Sequence, residues 1–99
     1  MNMQAMLKQA QNLQKRMLSE QEAINNMTFC GETEFVKVTM KGNRRVEKVE
    51  VKEIPNAERE DFDMLEDMIM IAVNDALTKI EKTTEEKLGK YTNGMPGLF

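Results

Sequence analysis

The sequence has no histidine and no tryptophan, and it has a single cysteine. Without histidine, Ser-His-Asp and Cys-His catalysis and most zinc sites are excluded. The lone Cys30 cannot form an internal disulfide, which is typical of a reducing cytoplasm. No glycine-rich loop precedes a predicted helix, so no cradle for a nucleotide phosphate is expected. We therefore expect a protein that is not an enzyme and that uses no cofactor, no metal and no small-molecule substrate.

Long apolar runs are also missing. No run reaches the roughly 18 residues that a membrane span needs, and the N-terminus lacks the charge pattern of a signal peptide, so we expect a cytoplasmic protein without a membrane partner. The length of 99 residues predicts one domain, 1–99, in which residues 92–99 are expected to form a mobile tail. With one tyrosine but ten methionines, such a small chain is expected to complete its core by forming a homodimer.

Acidic residues are absent from the first nineteen positions. Met1 to Ser19 contains Lys8, Lys15 and Arg16 and no acid, although the whole chain has a net charge of −3. Apolar residues recur in this stretch at heptad spacing, which predicts a helix from about Asn2 to Asn26. The seam positions are Met3, Met6, Ala10, Leu13, Met17, Ile24 and Met27. Lys8 and Lys15 fall opposite the seam, about 10 Å apart along the helix axis.

The middle of the chain has the pattern of a small antiparallel sheet. A weak edge strand is predicted at 27–30, a turn at 31–33 and an alternating strand at 35–40. Gly42-Asn43 predicts a hairpin that leads to a return strand at 46–54, with Val49 and Val51 facing inward. Val46 is out of phase with these two valines, which indicates a bulge near Glu47.

A second long helix is predicted from about Phe62 to Lys90, with Asp61 or Asp63 as its N-cap. Its apolar band is wider than one face, so we expect burial against both the sheet and a partner. Pairs such as Glu86-Lys90 are expected on its solvated end. The residues predicted to form core and dimer interface are Met64, Leu65, Met68, Ile69, Ala72, Val73 and Ala76.

Several segments, in order along nearly the whole chain, are similar to one known family. They include Met6-Leu-Lys-Gln-Ala-Gln11, Val36-Lys-Val-Thr-Met-Lys-Gly42, Ala72-Val-Asn-Asp-Ala76 and Gly94-Met-Pro-Gly97. Together they resemble the YbaB/EbfC family of bacterial nucleoid-associated proteins. The resemblance implies an α+β protomer of order α-β-β-β-α, with a small antiparallel sheet between two long helices. It also implies a tweezer-shaped homodimer that binds duplex DNA in the cytoplasmic nucleoid.

Two cationic groups are candidates for contact with DNA phosphates. The first is Lys8, Lys15 and Arg16 on the opening helix, and the second is Lys41, Arg44 and Arg45 around the hairpin. The alternative explanation for the first group is the solvated face of a helix. The alternative for the second group is that its charges deter aggregation between strands. For the whole protein, the alternative to a DNA-binding nucleoid-associated protein with a role in nucleoid organisation and gene regulation is a protein-interaction adaptor or chaperone-like helical dimer.

Overall fold

The computed structural model describes residues 2–92 and contains two long helices and three strands. The chain order is α-β-β-β-α, which confirms the predicted α+β fold. The elements are α1 (Met3–Asn26), β1 (Thr28–Glu32), β2 (Val36–Lys41), β3 (Val46–Val51) and α2 (Arg59–Thr92). The predicted tail at 92–99 lies outside the described residues, apart from Thr92, which belongs to α2.

The ends of α1 are fixed by local hydrogen bonds. The side chain of Asn2 accepts a hydrogen bond from the backbone N–H of Gln4 at 2.9 Å, so Asn2 is the N-cap. At the other end, Met27 has extended backbone dihedrals and its N–H donates to the carbonyl oxygen of Ile24. The end of this helix at Asn26 agrees with the sequence prediction.

The three strands form an antiparallel sheet in the order β1-β2-β3. The hairpin at Gly42-Asn43 is confirmed, and its next residue, Arg44, has a left-handed φ of 68°. Across the β2–β3 pair, Thr39 faces Lys48 while Met40 faces Val46, so Glu47 is an extra residue. The bulge predicted from the phase of the valines is therefore present.

One predicted turn is wrong. Gly31 and Glu32 belong to β1, and the bend lies at residues 34–35. Gly31 instead allows β1 and α2 to approach each other closely, because a Cβ added there would lie 1.8 Å from the carbonyl oxygen of Ala72 on α2. The missing side chain lets α2 pack directly on the backbone of β1.

The core lies between α2 and the first two strands. One cluster joins Val36 and Val38 of β2 to Leu65 and Ala72 of α2. A second cluster continues along the same helix with Phe29, Met40, Ala76 and Ile80. None of the β3 valines belongs to either cluster, so the helix covers only part of the sheet face.

The second helix begins three residues earlier than predicted. It starts at Arg59, and Asp61 lies in its first turn instead of at the N-cap. The Asp61 carboxylate accepts a hydrogen bond from the backbone N–H of Glu58 at 2.9 Å, which is half of a capping box. The acidic first turn also suits the positive end of the helix dipole.

The end of α2 returns to the base of α1. Ile24 is fully buried against Leu88 and Tyr91, with Met17 packed beside them. Elsewhere α1 extends beyond the body, and the principal extents of the molecule are 74 × 21 × 14 Å. The radius of gyration is 19.7 Å, whereas a compact domain of this length has about 13 Å. The fold therefore presents one end of α1 to solvent on all sides.

Candidate nucleic-acid interface

The projecting segment of α1, defined as residues 3–16, is exposed at every position. Ile24 is the only buried residue that α1 contains. A helix that is so little packed against its own body is available to another molecule. Its charged and apolar residues therefore have to be considered as contacts for a partner.

The three cations predicted on this helix are all exposed. Within the described chain, Lys8, Lys15 and Arg16 form no ion pair. Glu20 is one turn beyond Arg16, but its carboxylate is bound by Lys90 of α2 at 3.2 Å. Residues 2–92 therefore do not neutralise the positive charge of the projecting segment.

The fold also places Lys90 beside the cations of α1. The sequence predicted a pairing of Lys90 with Glu86 instead. The structure pairs it with Glu20, and the Lys90 ammonium also lies 5.1 Å from the centre of the Tyr91 ring. The hydrogen bond and the charge of Glu20 raise the pKa of Lys90 above its ordinary value of 10.5. No local signal predicts this contact, because 70 residues separate the two partners.

An open cleft of about 630 Å³ lies where α1 meets the end of α2. It contains three cations and one acid, and therefore has an excess of positive charge suited to a phosphate. Ser19 and Tyr91 add hydroxyl groups to its walls. The lining residues are Leu13, Lys15, Arg16, Ser19, Glu20, Lys90 and Tyr91.

The three cations of the second predicted group, at the hairpin, have different surroundings in the structure. The Lys41 ammonium donates to the carbonyl oxygen of Asn26 at 3.3 Å and to Thr28 Oγ1 at 3.1 Å. It also lies 3.8 Å from Glu47, so it ties the hairpin to the end of α1. In contrast, Arg44 and Arg45 are exposed and form no ion pair with any residue from 2 to 92.

The two cationic groups lie at opposite ends of α1. A Cβ on Gly42 would lie 1.8 Å from the carbonyl oxygen of Ile24, so the hairpin touches the base of the helix. At 1.5 Å per residue, Lys15 is about 14 Å and Lys8 about 24 Å farther along the axis. The structure therefore does not bring the hairpin cations and the projecting segment into one cluster.

The residues predicted for core and dimer interface are only partly available to a partner. Leu65, Ala72 and Ala76 are buried in the protomer against its own sheet. Four others are half-buried, and their place in an interface between protomers stays a prediction. These four are Met64, Met68, Ile69 and Val73.

A larger uncovered apolar surface lies next to them on β3. Val49 and Val51 face Val38 and Val36 in the sheet register, so they lie on the side of the sheet that α2 covers elsewhere. Each nevertheless remains 46% exposed. Val46 is equally exposed on this strand, and α2 exposes Phe62, Met70 and Ile71.

Two other kinds of site are absent from the described part of the chain. No helix among residues 2–92 is long and apolar enough to cross a membrane. The same residues include no group of three His, Cys, Asp or Glu side chains arranged to hold a metal ion.

A projecting, unneutralised cationic helix on a small α+β body is an arrangement typical of proteins that bind nucleic acids. Comparison with known proteins gives the same class. Residues 1–95 match the sequence profile of the YbaB/EbfC DNA-binding family. The chain therefore belongs to this family, which confirms the resemblance found in its motifs.

Individual relatives extend over nearly the same length. The chain is 51% identical to a nucleoid-associated protein of Enterococcus faecalis, over 98% of this chain and 94% of the relative. It is 50% identical to one from Lactococcus lactis, over 97% of this chain and 98% of the relative. A nucleoid-associated protein of Legionella pneumophila is 42% identical, over 95% of this chain and 84% of the relative. These names describe nucleoid-associated proteins and not enzymes.

Proposed function

We propose that the protein is a non-enzymatic, cytoplasmic nucleoid-associated protein that binds duplex DNA as a homodimer. In this role it contributes to nucleoid organisation and to gene regulation. The family match and the names of the relatives support DNA as the partner. The main phosphate contacts come from Lys8, Lys15 and Arg16, with Arg44 and Arg45 as a second group.

The observation that carries this proposal is the exposure of the projecting segment, which has three cations and no acid, on a net-acidic protein. The projecting segment holds its three positive charges away from the acidic start of α2. Exposed cations that have no partner in the protein attract the phosphate backbone and release its counterions on binding. The glutamines and asparagine beside them add uncharged donors, which suit contacts to phosphate and sugar.

The uncovered face of β3 supports the homodimer. The protomer leaves Val46, Val49 and Val51 half exposed on the apolar side of the sheet. The α2 helix of a second copy is a suitable cover, because α2 exposes Phe62, Met70 and Ile71. A symmetric pairing of this kind buries both sets of residues twice, as a two-fold interface requires.

Dimerisation also improves binding to DNA. A single projecting segment offers three unpaired cations, whereas a dimer offers six and increases the dependence of affinity on salt. The acidic first turn of α2 repels phosphate, so it favours orientations in which the projecting segments face the duplex.

The alternative is a protein-interaction adaptor. The apolar seam of α1 is the observation that favours it, since Met3 and Met6 are well exposed.

A salt titration distinguishes the two functions. Anisotropy of a labelled duplex is measured with the full chain at several salt concentrations between about 50 and 200 mM, the range over which phosphate contacts weaken strongly. We expect tight binding at low salt that weakens steeply; absence of binding at low salt refutes the DNA-binding proposal.

A further inference from the structure

The outer edge of β3 is open, and its backbone is directed toward that edge. The strand order is β1-β2-β3, so no strand of residues 2–92 lies beyond β3. The N–H of Lys52, just after β3, donates to the carbonyl oxygen of Phe35 at 2.8 Å, and Val49 is paired with Val38. Hydrogen-bonded and non-hydrogen-bonded pairs alternate along an antiparallel ladder, so Val49 belongs to a non-hydrogen-bonded pair. Its N–H and C=O therefore point away from β2 and are available to another strand.

The other edge of the sheet, at β1, is occupied. The ammonium of Lys79 on α2 donates to the carbonyl oxygen of Cys30 at 2.6 Å and lies 3.2 Å from Asp75. At Gly31 the helix packs directly on the strand. A lysine at the edge of a sheet hinders pairing with another strand. A second chain can therefore extend this sheet at β3 more readily than at β1.

β3 is complementary to itself when two copies run antiparallel. The strand reads Val46-Glu-Lys-Val-Glu-Val51, with the valines on the apolar face and Lys48 and Glu50 on the polar face. If Val49 of one copy faces Val49 of the other, Lys48 of each copy faces Glu50 of the other. Opposite charges directly across two strands stabilise the pair. Lys48 and Glu50 also lie 3.3 Å apart within the protomer, so the polar face of the pair carries four charges of alternating sign.

Other registers of the same pairing are less favourable. The two-fold axis has to pass through a residue of the strand, because only then do facing side chains lie on the same face of the sheet. At any charged residue of β3 the axis brings two like charges together. At Val46 or Val51 only one end of the strand overlaps, since these residues begin and end β3. An axis at Val49 pairs nearly the whole strand and joins unlike charges.

We propose that the β3 strands of two copies pair in this register and form a continuous six-stranded sheet. This pairing rests on the proposed homodimer and specifies its interface. An axis perpendicular to the sheet keeps both α2 helices on the same face. It also brings together Val46, Val49 and Val51 of the two copies, each almost half exposed in the protomer. The valines then form one apolar stripe, and the α2 of each copy lies on the side of the sheet where this stripe needs cover.

Main-chain hydrogen bonds and apolar contact supply most of the affinity in this arrangement, whereas the ion pairs fix the register. Lys48 and Glu50 are both exposed to solvent, where an ion pair contributes little to stability. Replacement of Lys48 alone should therefore raise the dimer dissociation constant less than replacement of Val49, which removes apolar contact at the axis itself.

Disulfide trapping tests the register in the full chain carrying Cys30→Ser. Val49→Cys places two thiols at the axis, where the Cα atoms are about 5.5 Å apart, a separation that a disulfide spans. The matched control is Val51→Cys, which is equally exposed on the same face but lies about 13 Å from its copy along the strands. Under mild oxidation we expect a covalent dimer with Val49→Cys and none with Val51→Cys. Equal trapping at the two positions, or faster trapping at Val51, overturns the proposal.

Amide hydrogen exchange of the unmodified chain, measured beside sedimentation equilibrium, separates this pairing from the homodimer itself. In the paired strands the N–H of Val49 donates to the carbonyl oxygen of Val49 in the second copy, so its exchange should slow at least about tenfold when dimer replaces monomer. The amide of Cys30, at the β1 edge, should not respond and is the internal control. A dimer in which the Val49 amide stays unprotected refutes the strand pairing alone. A chain that stays monomeric at all concentrations refutes the homodimer as well.

Discussion

Replacing Val49 with aspartate should dissociate the proposed homodimer without unfolding the protomer. Val49 is outside the buried clusters and 46% exposed, so roughly half of its apolar surface remains for a partner to cover. Complete burial of a valine is worth about 1.5–3 kcal/mol, so covering the remainder contributes about 1 kcal/mol per protomer. Both protomers lose this contribution, and each also buries a carboxylate, which adds a further penalty.

The combined loss is at least about 2 kcal/mol, which corresponds to a rise of about 30-fold in the dimer dissociation constant. Sedimentation equilibrium over a concentration series measures this constant directly. Lys48→Asp is the matched control, because it places the same residue on the opposite face of the same strand. If Val49→Asp and Lys48→Asp give the same constant, the β3 face is not the interface.

Three further perturbations test the fold that positions α1. Gly42→Ala places a Cβ 1.8 Å from the carbonyl oxygen of Ile24, and should lower the free energy of unfolding by about 1–3 kcal/mol in urea denaturation; an unchanged midpoint contradicts the close approach. Asp61→Ala removes the carboxylate that accepts the hydrogen bond at the start of α2. It should lower the free energy of unfolding by about 1 kcal/mol in the same assay, whereas Asp61→Asn should retain most of that stability. Because the pKa of Lys90 is raised, its pairing with Glu20 stabilises the fold below pH 10.5, and this stabilisation is lost as the pH rises further. The small difference in stability between the protein and Glu20→Gln should therefore shrink above that pH. A difference that stays constant contradicts the pairing.

The parts of the fold that sequence predicts are those determined by local patterns. Alternation of Val36, Val38 and Met40 locates β2, and the phase change after Val46 locates the bulge. The extent of α1 follows from its heptads. The start of α2 was misplaced because an acid can cap a helix from its third position as well as from the N-cap, and the two arrangements look alike in sequence.

Other features depend on the packing of distant segments. The role of Gly31 follows from the position of Ala72, about forty residues away, so a turn was the natural interpretation of that glycine. The exposure of Lys8, Lys15 and Arg16 was predictable from the pattern around them. The position of Lys90 beside them was not, because it results from the return of α2 to α1.

The central claim is that the projecting segment of α1 contacts DNA phosphates, and the salt dependence of binding tests it most directly. The test variant combines Lys8→Gln, Lys15→Gln and Arg16→Gln; the control makes the same change of charge elsewhere with Lys52→Gln, Arg59→Gln and Lys82→Gln. Removing six phosphate-binding charges from a dimer should reduce the slope of log affinity against log salt by up to about 5. We expect this reduction in the test variant and a much smaller change in the control. Equal slopes for the two variants would contradict the claim.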